Sequence, residues 1–347
     1  MKGKQFIKSE VTGIACAIPT KTEEANLYLE QFGENAVKRF VDATGIIQRR
    51  VSNGKQTASD LCYVAARELM GSKGLTGDDI DALIFMTQFP DYKIPSTAYV
   101  LQYRLGIKKE CMVFDVNLGC SAFVNGIYFL SGMIESGTIE RALLLIGDVD
   151  IESEKKANIS FSMMFGDAGA ACIVERGVGR INGMIRSDGS GYRTIITPRP
   201  GARFPEKTDE PMTKKMNGED TFLFTITKVP KLFKEFFTEF SCDKDEFDYY
   251  ILHQANSMII QQIAKKLKVH VDKFPISLDK YGNTDGASIP VTIVDLCQKI
   301  KKSQKLKLIV SGFGVGLSWG IVSFEIDSNS VLPIIETDEY YIEGRTI

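Results

Sequence analysis

Three short stretches, far apart along the chain, carry side chains suited to nucleophilic chemistry. In Phe114-Asp115-Val116-Asn117-Leu118-Gly119-Cys120-Ser121 a β-branched run stops at a glycine corner, and apolar residues then recur at helical spacing through Phe123, Ile127, Leu130 and Ile134. Cys120 is thereby predicted at a helix N-terminus, where unpaired N–H groups and the dipole favour a thiolate and lower the thiol pKa. The sequence holds two histidines. His270, in Lys268-Val269-His270-Val271-Asp272, reads as a surface residue. His253 ends the apolar run Tyr249–Leu252 and is followed by Gln254-Ala255-Asn256, small and polar groups that suit a lined cavity. Asn283 stands in Tyr281-Gly282-Asn283-Thr284-Asp285-Gly286, a pattern that is commonly a plain turn. A fourth stretch, Gly312-Phe313-Gly314-Val315-Gly316, closes another apolar run. All four fall where a parallel sheet presents its active edge.

Alternating strand and helix patterns must position these groups. Val11–Ile18, Ile80–Thr87, Ala142–Ile146, Cys172–Glu175, Tyr249–Leu252 and Lys307–Ser311 read as strands, most of them continuous apolar runs of sheets covered on both faces. The acidic stretch Glu23–Phe40, the segments Thr57–Met70, Thr225–Phe240 and Ser257–Lys268, and the run after Cys120 read as helices. Tyr192–Lys215, rich in Pro, Arg and Lys, is the longest stretch without periodicity, and such loops are usually functional or mobile. The β/α rhythm occurs in two halves, which implies mostly parallel sheets with helices against them.

The 347 residues suffice for a large core, and a formal net charge of -2 argues against a nucleic-acid binder. Seven cysteines are an odd number, scattered without CxxC pairs or metal-ligand spacing, and read as free thiols of a cytoplasmic protein with no metal site. Met1–Lys8 lacks the apolar stretch of a signal peptide, and no run approaches a membrane span.

In this order the stretches resemble the β-ketoacyl-acyl carrier protein synthase III family of the thiolase superfamily, whose pattern is a Cys followed much later by His-Gln-Ala-Asn and Gly-Asn-Thr. The resemblance extends to Thr44-Gly45-Ile46 with Arg50, Pro90-Asp91 before Pro95, Phe165-Gly166-Asp167, Ser187-Asp188-Gly189-Ser190, Met216-Asn217-Gly218 and Leu317-Ser318-Trp319-Gly320. It implies an α/β fold of the thiolase type, five layers α-β-α-β-α built from two similar halves. Residues 1–178 would carry the nucleophile, and 179–347 the histidine and asparagine.

The resemblance also implies an acyltransferase of fatty acid biosynthesis. Cys120 would accept an acyl group from a thioester. Backbone N–H groups of Cys120 and Val315 would hold the oxyanion, and His253 and Asn283 would donate to the enolate left when a malonyl thioester on acyl carrier protein loses CO2. Phe313, Ile94, Asn256 and Gly218 would belong to the substrate pocket, with Ile94 reaching across a homodimer interface to cap the acyl tunnel. No tightly bound cofactor is expected; an acyl-coenzyme A or acyl-carrier thioester is the substrate.

Some positions depart from the family pattern. Met258 stands where an arginine helps dock the carrier, leaving Lys265, Lys266 and Lys268 on that helix and Arg199, Arg203, Lys214 and Lys215 in the long loop as solvated charges. Arg39 and Ala43 stand near the place of an adenine-binding pair, and the sole tryptophan is Trp319. A thiolase-fold acyltransferase or synthase with another product, or a non-catalytic paralogue, are the alternatives.

Overall fold

The computed structural model describes residues 2–150, 159–198, 201–203, 214–300 and 303–346. Among them a six-stranded and a five-stranded sheet form the frame. The strands of the first half are β1 (Lys4–Phe6), β2 (Ser9–Pro19), β3 (Ala82–Met86), β4 (Met112–Val116), β5 (Arg141–Asp148) and β6 (Ala168–Arg176). Those of the second are β7 (Ile181–Ser187), β8 (Tyr249–Leu252), β9 (Lys305–Gly314), β10 (Ser318–Asp327) and β11 (Ile335–Thr337). The six-stranded order is β11-β2-β6-β5-β3-β4, and the five-stranded order β1-β7-β10-β9-β8. Two strands cross the boundary drawn at 178/179: β1 pairs with β7 in the second-half sheet, and β11 pairs with β2 in the first.

Both sheets are mixed, where the sequence rhythm predicts mostly parallel ones. β3 lies parallel to β4 and β5, and β8 to β9, because helices connect them; β6 runs antiparallel to both β2 and β5. β9 turns straight back into β10, a hairpin that needs no crossover.

The helices complete the five layers of a thiolase fold. α1 (Ala58–Ser72) and α2 (Thr97–Arg104) cover the outer face of the first sheet, and α4 (Gly218–Glu239) with α5 (Ser257–Leu267) that of the second. Between the sheets lie α3 (Ala122–Glu135) and α6 (Ser288–Cys297). Apolar stripes set this order: every residue of α6 is buried, as a helix with sheets on two sides requires. α3 carries Phe123, Ile127, Leu130 and Ile134 into the same core at the predicted spacing.

The stretch predicted as one helix over Glu23–Phe40 is instead a short strand, Thr22–Glu24, a 3-10 turn and two helices, Leu29–Phe32 and Glu34–Thr44. Gly33, at φ 81°, separates the two helices in a conformation that favours glycine. α4 starts seven residues before the predicted Thr225, because Asn217 accepts from the Asp220 N–H and Glu219 and Asp220 face the positive end of the dipole.

The packing of α6 decides whether the two sheets hold their spacing. Ile293→Ala removes a fully buried side chain from the central layer and should destabilise the protein by about 2–5 kcal/mol, read as a lower urea midpoint.

Candidate active site

Cys120 occupies the turn just before α3, as the sequence predicts. The turn between β9 and β10 closes over it. The Val315 N–H lies near the sulfur, and the Ser318 hydroxyl bonds both the Ser121 hydroxyl at 2.6 Å and the Val315 carbonyl at 2.8 Å. Gly314 permits this approach, since a Cβ there would stand 2.7 Å from the Cys120 sulfur.

The thiol is pushed well above its usual range, opposite to the direction expected from its place at a helix end. Burial is the main cause, and the negative charge of Asp285 beside the sulfur adds to it; Lys214 and the Val315 N–H pull the other way. A helix N-terminus is worth about 0.3–1 kcal/mol at a surface and up to ~2 kcal/mol when partly buried. Withdrawing water from an anion costs several kcal/mol, so desolvation prevails. The resting nucleophile is a neutral thiol.

His253 leaves the end of β8, its N–H bonded to the Ser311 carbonyl at 2.9 Å. Nδ1 lies 2.7 Å from the Ser288 hydroxyl at the start of α6. That hydroxyl also accepts from the Gln254 N–H at 3.4 Å; with the hydroxyl donating to Nδ1, the ring proton is carried on Nε2. Burial holds the ring near a pKa of about 4, and it is therefore neutral and a donor at physiological pH. Phe313 stands edge-on to it at 5.6 Å between centroids.

Asn283 is fixed by its backbone. Its N–H donates to the Met164 carbonyl and its C=O accepts from Gly166. Gly166 must be glycine, because a Cβ would fall 1.9 Å from the Tyr281 carbonyl oxygen. The Asn283 Oδ1 accepts from the Asp285 N–H at 3.0 Å, so the NH2 end remains to donate.

Asp285 joins the three groups, and sequence reading passed over it as part of a turn. Its N–H holds Asn283, its carbonyl lies within bonding range of the His253 ring, and its carboxylate adjoins Cys120. The side chain is 4% exposed, and its backbone adopts φ 45°, unusual for a residue with a Cβ. Lys214, predicted as a solvated loop charge, is instead largely withdrawn from solvent, its ammonium 3.9 Å from the Asp285 carboxylate and 4.3 Å from the Phe165 ring centre. The partner charge and the ring replace the water that Lys214 gives up. Asp148, at the end of β5, accepts from the Gln88 and Gly286 N–H groups; burial and the nearby Asp285 push it well above the carboxylate range.

A cavity of about 500 Å³ meets this cluster at Lys214 and Val315, with Gln88, Phe89 and Tyr192 also in its wall and none of the three reactive side chains among its lining. A second, of about 560 Å³ beside Lys2, Arg186 and Lys231, touches none of the triad residues.

The remaining pocket candidates lie elsewhere. Asn256 caps α5, its side chain accepting from the Ile259 N–H, which is why a polar residue follows the histidine stretch. Gly218 opens α4 on the surface, with nothing within 4 Å of where a Cβ would stand. Ile94 is 85% exposed on its loop. Trp319 packs edge-on against Phe224 in the outer core and is not available to stack on a nucleotide. His270 is exposed, as predicted. Arg199 lies outside the described residues.

The neutral His253 links site and stability. An unfolded imidazole takes its proton near pH 6.5 and the folded one near 4, so the unfolded state binds the extra proton between those values. Stability is full above about pH 6.5 and should fall by about 3 kcal/mol as pH drops to roughly 4. The difference in unfolding free energy between wild type and His253→Gln, followed across that interval, isolates this contribution.

Comparison with known proteins agrees with the geometry. Residues 114–189 match the family described as 3-oxoacyl-[acyl-carrier-protein (ACP)] synthase III, and residues 238–326 match its C-terminal family. A β-ketoacyl-[acyl-carrier-protein] synthase III from Bartonella henselae is 32% identical, covering 91% of this chain and 99% of its own. One from Lactococcus lactis is 32% identical over 90% and 97%. The crystal structure of a 3-oxoacyl-(acyl-carrier protein) synthase from Burkholderia xenovorans superposes with a TM-score of 0.90 at 32% identity, covering 97% of this chain and 99% of that one. Similar over nearly its whole length to these synthases at 32% identity, the chain belongs to the β-ketoacyl-acyl carrier protein synthase III family of thiolase-fold acyltransferases.

Proposed function

We propose that Cys120 accepts an acyl group from a thioester and that His253 and Asn283 then bind the enolate formed as malonyl-acyl carrier protein loses CO2, whose carbon attacks the acyl-enzyme. The observation that carries this reading is the convergence of thiol, imidazole and carboxamide around one residue, Asp285. A neutral imidazole and an amide with its oxygen already engaged can supply two N–H donors, which a developing enolate needs; decarboxylation itself requires no base. The Val315 N–H beside the sulfur supports its role, with the Cys120 N–H, in holding the acyl oxyanion. No tightly bound cofactor enters the reaction. The primer arrives as a thioester of coenzyme A or of the carrier, through the cavity lined by Lys214 and Val315.

The working form in this reading is a homodimer. β4 is an edge strand with one neighbour, β3, and Met112 on it, Phe129 on α3 and Tyr99 and Tyr103 on the adjoining α2 are exposed large side chains. Pairing with a second copy would cover this edge and carry Ile94 toward the neighbouring site. Ile94 is a modest plug, so the pocket takes acyl groups longer than acetyl. Exposed Lys265, Lys266 and Lys268 beside Met258 offer charges for an acidic carrier. Seven unpaired cysteines support a cytoplasmic setting.

Intact-mass spectrometry with a graded series of acyl thioesters tests the reading. Cys120→Ala should show no acyl adduct, whereas Asn283→Ala should acylate at near wild-type rate and lose malonyl decarboxylation by about 10²-fold or more. An adduct on Cys120→Ala, or full condensation by Asn283→Ala, contradicts the assignment. Adducts with acetyl alone across the series contradict the wider pocket.

A further inference from the structure

Asp285 is a charged group that the Cys-His-Asn reading leaves without a task. Its Oδ1 is buried and has no hydrogen-bond partner, while the other oxygen faces the Lys214 ammonium at 3.9 Å. An unsatisfied buried carboxylate oxygen is costly, and one held at a positive φ costs more. The carboxylate reaches the strand-to-helix corner from the opposite half of the fold: a Cβ on Gly119 would stand 2.7 Å from its Oδ1, and the thiol of the next residue is its neighbour, though not in a well-aligned hydrogen bond. The charged and titratable groups around it are Cys120 before α3, His253 after β8, Asp148 at the end of β5 and Lys214, which in turn faces Asp150.

Acylation poses a proton problem that this arrangement meets. The sulfur rests as a thiol and must lose its proton as it attacks, and the departing sulfur must gain one. His253 is poorly placed to serve, since Nδ1 is held by Ser288, the Asp285 carbonyl lies within bonding range of the ring, and burial makes the imidazole a weak base. We propose that Asp285 is a catalytic residue that takes the Cys120 S–H proton as the sulfur attacks the thioester and passes it to the departing thiol. The Cys120 S–C bond forms, the substrate C–S bond breaks, and one proton moves from sulfur to carboxylate to sulfur, so the net charge of the site is the same before and after. Lys214 balances the carboxylate between turnovers. This inference rests on the acyl-enzyme reading above and adds the route of its proton.

A relay of this kind gives acylation a distinctive pH profile. Wild-type acyl-enzyme formation from butyryl-coenzyme A, timed by intact mass, should change less than about twofold between roughly pH 6 and 8, because the proton is internal. Asp285→Asn must wait for a preformed thiolate; it should be slower by about 10²-fold near pH 6 and gain about tenfold per pH unit. Alkylation of Cys120 by iodoacetamide should move oppositely and quicken in Asp285→Asn, because a negative charge beside the thiolate has been removed. A merely structural role for Asp285 would slow both reactions and leave the acylation slope unchanged, and that result overturns the proposal. So does a wild-type profile that itself climbs tenfold per unit, a measurement that needs no variant to fold. If butyryl and the other thioesters leave no adduct on the wild-type chain, the acyl-enzyme reading falls and the relay with it; an adduct with the wrong slope removes the relay alone.

Discussion

Dryness at the meeting point of two buried helix N-termini is the constraint on which the site depends. α3 begins just after Cys120 and α6 just after Asp285, and both helices start between the sheets, with the first turn of α3 and the whole of α6 buried. Burial moves every titratable group there with a resolved shift, other than Lys214, toward its neutral form: the Cys120 thiol and the Asp148 carboxyl go up and the His253 imidazole goes down. Lys214 goes the other way because Asp285 and further acidic groups surround it. The site thus rests with little free charge, and anions formed in turnover must be met by groups already in place.

Those groups are held by backbone more than by side chains. Asn283 is clamped through Met164 and Gly166, and the Phe165 carbonyl between them accepts from Arg49, a guanidinium that is itself buried and paired with Glu23 at 2.6 Å. The chain of contacts runs from an outer ion pair to the loop that carries the amide. It explains why Thr44-Gly45-Ile46 and the arginines after it belong to the same pattern as the distant asparagine: they build the wall against which the asparagine loop rests. Arg49 acts on the reaction only through that wall.

Much of this was legible in the chain. Strand-to-helix corners announce themselves through an apolar run ending at glycine, so Cys120 and His253 could be placed without coordinates, and Gly-Asn-Thr located the third group. What escaped were properties that depend on what packs on top. Asp285 belongs to a stretch whose composition is that of an exposed turn, and nothing local tells that α3 and Gly119 cover it. Lys214 follows a run of loop residues rich in charge, and only the ring of Phe165 and the carboxylate of Asp285 make its burial tolerable. The direction of the thiol shift escapes the sequence for the same reason: the helix dipole is a short-range property of sequence, whereas desolvation belongs to the whole assembly. Gly33 and Asn217 set helix boundaries through φ and capping, which apolar periodicity does not register.

Cys120 and Asp285 occupy corresponding corners, each before the central helix of its half, so the two halves contribute different chemistry at matching places. The first supplies the nucleophile and the second manages proton and charge. The partition has a physical logic. Loss of CO2 generates the attacking carbon without removing a proton, so a base near the malonyl carbon would have nothing to abstract and would quench the enolate once protonated. Thioester exchange, by contrast, must move a proton between two sulfurs. A carboxylate beside the sulfur and neutral N–H donors for the enolate satisfy both demands.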